Sequence, residues 1–237
     1  YWYKDGQKKE QGKYIRISGY DYAFLDGKWT AWFENGQKKY QLEYDDGKSD
    51  GTWIYWRGSG KKSQESEYED GKLDGEQTIW FENGKKSQES EYEDGKLDGD
   101  VTEWYDNGKK KLEAEYYNGQ FDGDVTEWYE NGKKKLEAEY KIGQFDGDYS
   151  EWYESGQKRF KGEYKNRKLL NMSVWDKNGK EIFIPKYATF DFKLNWKCNS
   201  SHYKSGNKCK LIPKNSTFNE SSGKWSCNSG FLENDNT

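Results

Sequence analysis

The groups in this chain that could do chemistry are turn carboxylates, a few thiols, one imidazole and a row of indoles. Asp94, Asp98 and Asp100 cluster in the stretch EDGKLDGD, and closely spaced oxygen donors of this kind suit a hard cation such as Ca²⁺. Asp and Gly are also what tight turns require sterically, and Lys96 interrupts the donors, so the stretch reads as turn chemistry and no metal site is expected. His202 is the only histidine. The chain has no Gly-rich phosphate loop, no nucleophile elbow and no metal-spaced His/Cys set, so acid-base, nucleophilic and zinc chemistry all lack a constellation. The expectation is a protein that is not an enzyme and needs no cofactor.

The three cysteines lie late in the chain. WKCNSSHYKSGNKC, from Trp196 to Cys209, is echoed by WSCNSGFLENDNT from Trp225 to Thr237. The first segment places its second cysteine eleven positions after the first, and the echo would place a partner for Cys227 one residue past Thr237. Cys198 is therefore expected to pair with Cys209, in a module that the sequence presents truncated, with an oxidising compartment implied. Sequons occur at Asn171, Asn199, Asn215 and Asn219, in a region where abundant Asn and Ser make chance matches common.

The indoles are periodic. Trp32, Trp56, Trp80, Trp104, Trp128 and Trp152 recur every 24 residues, with Trp2 before them and a degraded copy at Trp175. Such a row could bind sugar rings or an extended partner; it could equally pack over neighbouring strands and stack with lysine stems. The six spaced indoles are the candidate binding ridge.

What must position this row is a repeat array, the reading that a fixed period in this range calls for. DVTEWYDNGKKKLEAEYYNGQFDG, Asp100 to Gly123, is followed by a copy differing at three positions. Asn107-Gly108 between strand-like runs predicts a hairpin with a type I′ turn. That turn sets Asp106 opposite Lys109, Tyr105 opposite Lys110, Trp104 opposite Lys111, Glu103 opposite Leu112, Thr102 opposite Glu113 and Val101 opposite Ala114. One face then carries Val101, Tyr105, Leu112, Ala114 and Tyr116; the other carries Thr102, Trp104, Lys111, Glu113 and Glu115. Other copies keep one large group at the Glu103–Leu112 position: Ile79 with Gln88, Tyr55 with Gln64, Ala31 with Tyr40, Glu151 with Phe160. A second turn, EDGKLDG or NGQFDG, returns the chain to the next hairpin.

A lone hairpin is marginal in water, and stacking lets each apolar strip be flanked by its neighbours. The expected fold is all-β: an elongated antiparallel β-meander solenoid over residues 1–184, rising roughly 9.6 Å per hairpin, with a small disulfide-containing module over 185–237. Composition agrees. A mean hydropathy of −1.39 would suggest disorder, but 12 Trp, 20 Tyr and 11 Phe supply large buried areas in place of an aliphatic core.

WYENGKKKLEAEYKIGQFDG resembles the unit of the MORN-repeat variants of bacterial proteins, through its aromatic pair, Asn-Gly turn, paired Lys, Tyr and Asp-Gly, over about residues 1–184. The resemblance implies a curved β-meander without catalysis, attached to proteins or membranes, and in some members an antitoxin-like role. The cysteine segment loosely resembles EGF-like surface modules.

Acidic and basic residues are interleaved around a net charge of −4, leaving no nucleic-acid patch. No apolar run approaches the ~20 residues of a bilayer span. Since the chain opens on Tyr1 in mid-motif, it reads as a piece of a longer array. The function expected is an extracellular or cell-surface structural or interaction protein: a spacer, adhesin stalk or filament subunit with a protein partner or self-association through sheet ends. The alternatives are a module binding surface glycan through the Trp ridge, and an intracellular antitoxin-like protein-binding repeat.

Overall fold

The computed structural model describes residues 1–16, 23–183, 185, 188–190, 196–198, 201–205, 208–212, 216–219 and 224–227. The chain divides into two compact units, 1–172 and 173–237. Among the described residues every regular element is a strand, and the main sheet is an open 16-stranded antiparallel meander in which neighbours in sequence are neighbours in space. All-β architecture built from hairpin repeats is thus what the sequence pattern predicts and what the chain adopts.

Within the first unit, two successive periods run through strands Lys96–Trp104, Lys110–Tyr117, Gln120–Trp128 and Lys134–Lys141. The expected inner register holds: Glu103 faces Leu112, Thr102 faces Glu113 and Val101 faces Ala114. Ile79–Gln88, Tyr55–Gln64, Ala31–Tyr40 and Glu151–Phe160 also pair as expected.

The turn beyond those pairs differs from the expected one. The Gly108 N–H donates to the Tyr105 carbonyl at 2.8 Å and the Tyr105 N–H to the Lys109 carbonyl at 2.9 Å. Gly108 has φ +89°, and Asn107 is not among the residues with positive φ. This is a three-residue loop whose glycine forms a G1 bulge, rather than a two-residue I′ turn. Asn107 instead uses its side chain, the Oδ1 accepting the Lys109 N–H at 2.9 Å. Tyr105 therefore closes on Lys109, and Trp104 faces Lys110 in place of Lys111. A second bulge between Lys110 and Leu112 restores the expected pairing below. Lys111 is thereby turned onto the opposite face, where its Nζ meets Glu103 Oε2 at 2.7 Å.

The I′ turns lie at the other edge. Asp94-Gly95 (φ +51° and +81°) and Asn118-Gly119 (φ +50° and +80°) both take the two consecutive positive φ values that the type demands. Short Asp and Asn tolerate that region by bonding locally. Beyond each I′ turn comes a further bulge, at Asp122-Gly123 in this period. The register shifts there between Ala114 and Tyr116. Gly123 has φ +124°, and a Cβ on it would stand 2.9 Å from Glu115 Cβ and 2.1 Å from its Oε2.

The core is one row deep. Val101, Ala114, Val125, Ala138, Tyr149 and Phe160 are buried, and Ser66 and Ser90 hold the Ala114 position in earlier copies. Gln64 and Gln77 satisfy the Ser66 hydroxyl at 3.0 and 3.1 Å, so the polar substitute is not stranded. Beside this row runs an aromatic ladder, Tyr116–Phe121–Tyr140–Phe145–Tyr164, with ring centroids 4.6–5.2 Å apart. Offset rings at that spacing add about 0.5–1.5 kcal/mol per pair beyond area burial.

In the second unit Val174 is buried and faces Ile182 across a short strand pair. Asp176 and Gly179 close another loop of the G1 pattern, so the degraded repeat keeps its turn. The strand pairs 188–190 with 196–198, 202–205 with 208–211 and 216–219 with 224–227 follow. Cys198 and Cys209 form the expected disulfide, with Cα atoms 5.5 Å apart. The segment beyond Cys227, and with it most of the echo of the first cysteine segment, lies outside the described residues. Of the expected Cys-rich module, the disulfide is the part that the described residues hold.

Replacing Gly123 with Ala forces both a positive φ on a β-carbon and a clash with Glu115. It should lower the unfolding free energy by about 1–3 kcal/mol, read from the midpoint of urea denaturation with the slope unchanged.

Candidate functional site

Each indole of the row ends a strand, just before the loop that carries the G1 bulge. Trp32, Trp56, Trp80, Trp104, Trp128 and Trp152 are all half-buried. Five of the six carry a cation over the ring face. Lys8 Nζ lies 6.0 Å over Trp32, Lys38 5.4 Å over Trp56, Lys62 5.8 Å over Trp80 and Lys110 5.9 Å over Trp128. In these contacts the lysine belongs to the preceding hairpin, and Lys158 covers Trp152 at 5.3 Å from within its own. Two of these ammonium groups continue to carboxylates, Lys62 to Glu65 and Lys110 to Glu113, and Lys86 and Lys134 at the same repeat position pair with Glu89 and Glu137. Trp80 and Trp128 are thus each one rung of a Trp–Lys–Glu chain that links hairpins, while Lys8 and Lys38 continue from Trp32 and Trp56 to Gln11 and Gln41; each cation–ring contact is worth roughly 0.5–1 kcal/mol at exposed positions.

The loops carry a second chain of rungs. Asn83 Nδ2 donates to the Asp106 carbonyl, Asn107 to Glu130 and Asn131 to Glu154, at 2.9–3.1 Å. Lys85 and Lys109 donate to the Asn107 and Asn131 carbonyls at 2.9 and 2.7 Å, and Lys133 to the Ser155 carbonyl. The Tyr105 and Tyr129 hydroxyls donate to the Trp128 and Trp152 carbonyls at 2.8 Å. Asn, Lys and Tyr of the repeat therefore serve the neighbouring repeat as well as their own turn.

On the face that carries the indoles, acidic residues oppose one another across the strands: Glu76 and Glu91, Asp100 and Glu115, Asp124 and Glu139, Asp148 and Glu163. All are exposed. In the first hairpin the same place holds Lys28 opposite Glu43, an ion pair at 3.0 Å. At the far end Asn171 Nδ2 donates to Glu163 Oε2 at 2.8 Å. The hairpin after Lys28–Glu43 holds Thr52 opposite Glu67, and from Glu76–Glu91 to Asp148–Glu163 runs an acidic column, in an arrangement that costs stability, because like charges directly opposed repel. The other face is neutral along its charged row, with Glu103, Glu127 and Glu151 held by Lys111, Lys135 and Arg159 at 2.6–3.1 Å. Sequence reading placed Glu115 beside the indoles but did not connect the carboxylates into a column; the cross-strand register is the signal that does so.

Among the turn carboxylates, Asp94 Oδ1 binds Lys72 Nζ at 2.6 Å, and Lys72 holds the Asp94 carboxyl below its ordinary value. Asp98 Oδ2 accepts the Asn118 N–H at 3.0 Å. Both are engaged in turn fastening, as sterics suggested. The fold brings Asp26 beside the consecutive Asp45 and Asp46, with carboxylate oxygens within 4.8 Å of one another and Lys13 on Asp26 at 2.6 Å. His202 stands in the strand His202–Ser205, its Nδ1 2.9 Å from Ser201 Oγ.

Repeat ends, loops and lysine rungs recur together as one module. Five segments match the MORN repeat variant. They cover residues 25–46, 73–94, 97–118, 121–141 and 145–166. Each MORN match is a strand, a G1 loop and a returning strand, most of them ending on the residue that opens the next I′ turn. The stretch between the first two matches has Arg57, Gly58 and Ser59 in place of the usual loop residues. There Arg57 Nη2, donating to the Trp80 carbonyl at 2.7 Å, stands in for the tyrosine hydroxyl. MORN repeats are a non-enzymatic class of protein- or membrane-binding repeats. No curated protein matches the chain. Among the described residues no helix is long and apolar enough to cross a membrane.

Tyr40 is pushed up to about 12, first by burial and then by its hydrogen bond to Glu10 Oε1 at 2.8 Å. Burial also raises Tyr149, which bonds Glu151. A raised folded value means the folded chain keeps protons that the unfolded chain releases. That contribution is intact below pH ~10 and is lost as pH climbs through the folded value. Stability should hold to about pH 10 and fall between about pH 10 and 12, checked by thermal denaturation across that range, with Tyr40→Phe reducing the slope.

Proposed function

We propose that the chain is a non-enzymatic binding scaffold that engages an extended, lysine- or arginine-rich protein along its acidic column, and that it acts outside the cell or on its surface as a spacer or stalk. The observation that carries the reading is the run of opposed carboxylates from Glu76–Glu91 to Asp148–Glu163. A cationic partner would remove the repulsion that the register imposes, and each repeat would offer it the same pair again. A negatively charged bilayer surface would be repelled by the column, which favours protein over membrane among the attachments typical of MORN repeats. Extracellular placement draws its support from the Cys198–Cys209 disulfide. The indole ridge supports stacking between hairpins better than glycan binding, since a sugar would have to displace the ammonium groups seated over Trp56, Trp80 and Trp128.

Isothermal titration of the full chain with oligolysine should show binding that weakens steeply with added salt. Asp100→Lys/Asp124→Lys, which rebuilds the Lys28–Glu43 type of pair opposite Glu115 and Glu139, should weaken that binding at least about tenfold while leaving the melting temperature equal or higher. Absent binding at low salt, undiminished binding by the double variant, or equal affinity for anionic vesicles would reject the proposal.

A further inference from the structure

At the edge of the I′ turns, neighbouring hairpins are fastened in three ways. A side chain just past one turn reaches the first turn residue of the next: Lys48 to Asp70 at 2.7 Å, Lys72 to Asp94 at 2.6 Å, Lys96 to Asn118 at 3.2 Å. An Asp carboxylate of one hairpin accepts the backbone N–H of that same turn residue: Asp74 from Asp94, Asp98 from Asn118 and Asp146 from Asn166, at 3.0–3.2 Å. The turn glycine donates to a carbonyl of the preceding hairpin: Gly95 to Leu73 at 2.8 Å, Gly119 to Leu97 at 2.7 Å, Gly143 to Phe121 at 2.8 Å.

At Ile142 only the last of these survives. The residue past the preceding turn is Gln120, and the side chain it would meet is a hydrocarbon with no acceptor. Neither Gln120 nor Asp122 makes the rung that its counterparts make. Ile142 has φ +48° where the other copies place Asp or Asn, and a β-branched residue in the left-handed region is a genuine steric outlier. Its side chain is 62% exposed, so no burial offsets the strain. The MORN match over this hairpin stops at Lys141, whereas those ending at 46, 94, 118 and 166 include the turn residue.

The opposite edge of the same hairpins is fully fastened. Asn107 and Asn131 still bond the next loop, Lys109 and Lys133 still reach the next carbonyls, and Tyr105 and Tyr129 still reach Trp128 and Trp152. One row inward, the Phe121–Tyr140 ring pair at 5.0 Å holds the strands together.

We infer that the turn Lys141–Gln144 is a one-sided hinge lip of the array, a segment that lifts away from the preceding hairpin while the G1-loop edge stays pinned. Two lost rungs and a strained backbone coincide at one turn, and the aromatic pair sets the inner limit of the opening. The array therefore has a built-in point of compliance at a defined place and on a defined side.

Amide hydrogen exchange on the full chain distinguishes this from a merely static irregularity, because Gly143 and Gly95 have equal hydrogen bonds in the closed structure. Corrected for intrinsic rates, the Gly143 amide should exchange about tenfold faster than Gly95. Gln120→Lys/Ile142→Asp, which rebuilds the missing rung and relieves the strain, should bring the two rates together. Gly132, at the pinned edge, should stay as protected as Gly108 in both proteins. Equal rates for Gly143 and Gly95 in the unaltered chain, rates unmoved by the double substitution, or matching loss of protection at Gly132 would each overturn the inference.

Discussion

A sheet one layer thick has no second layer to bury its side chains against, and the whole molecule is organised by that constraint. A hairpin such as Lys96–Tyr117 can cover Val101 and Ala114 only if the next hairpin lies beside it. Lateral attachment at a constant interval therefore substitutes for a conventional core. Backbone pairing supplies part of it, and the repeat supplies the rest by giving most polar residues a duty toward the adjacent copy. Asn107 shapes its own loop through Oδ1 and grips the next through Nδ2. Trp128 carries a lysine from the previous hairpin on its ring and accepts a tyrosine hydroxyl from the same hairpin on its carbonyl.

This division of labour explains why so hydrophilic a sequence folds. Few residues are fully buried, and the aromatic ladder and cation–ring contacts operate at half-buried positions where large rings still shed much water. Small groups such as Ala114, Ala138 and Ser90 occupy the crowded row, and large ones are set to either side. The positive-φ glycines occur at turns and bulges. At Gly123 the Glu115 side chain folds over the bulge, in the space a β-carbon would take.

A surface generated by repetition suits a partner that is itself extended, and it disfavours catalysis, which needs unlike groups converging on one point. The acidic column has a pair of opposed carboxylates at each step from Glu76–Glu91 to Asp148–Glu163, and beyond it Thr52 and then Lys28 stand opposite the glutamate. Departures from exact repetition then carry the individuality of the protein. Arg57 replaces a tyrosine and keeps its bond, whereas Ile142 replaces an asparagine and keeps nothing but the backbone contact.

The period, the strand positions, the inner pairs Val101–Ala114 to Glu103–Leu112 and the Cys198–Cys209 bridge were legible in the sequence, because opposed residues compensate one another from copy to copy and the cysteine segment leaves a short list of partners. The loop types were not. Asn-Gly is compatible with both a two-residue I′ turn and a three-residue loop with a G1 bulge, and Asp-Gly at the other edge reads no differently. Two bulges that shift the register in opposite senses left the inner pairs right while moving Lys110 onto the indole face and Lys111 off it. The choice between the loops depends on what the adjacent hairpin offers. Asn107 can spend its amide on the Glu130 carbonyl only when that loop already lies alongside. Local sequence thus determined which strands form and which residues face one another, and packing of one hairpin on the next decided the turn geometry, the rungs and the acidic column, since those are properties of contacts between copies that no single copy contains.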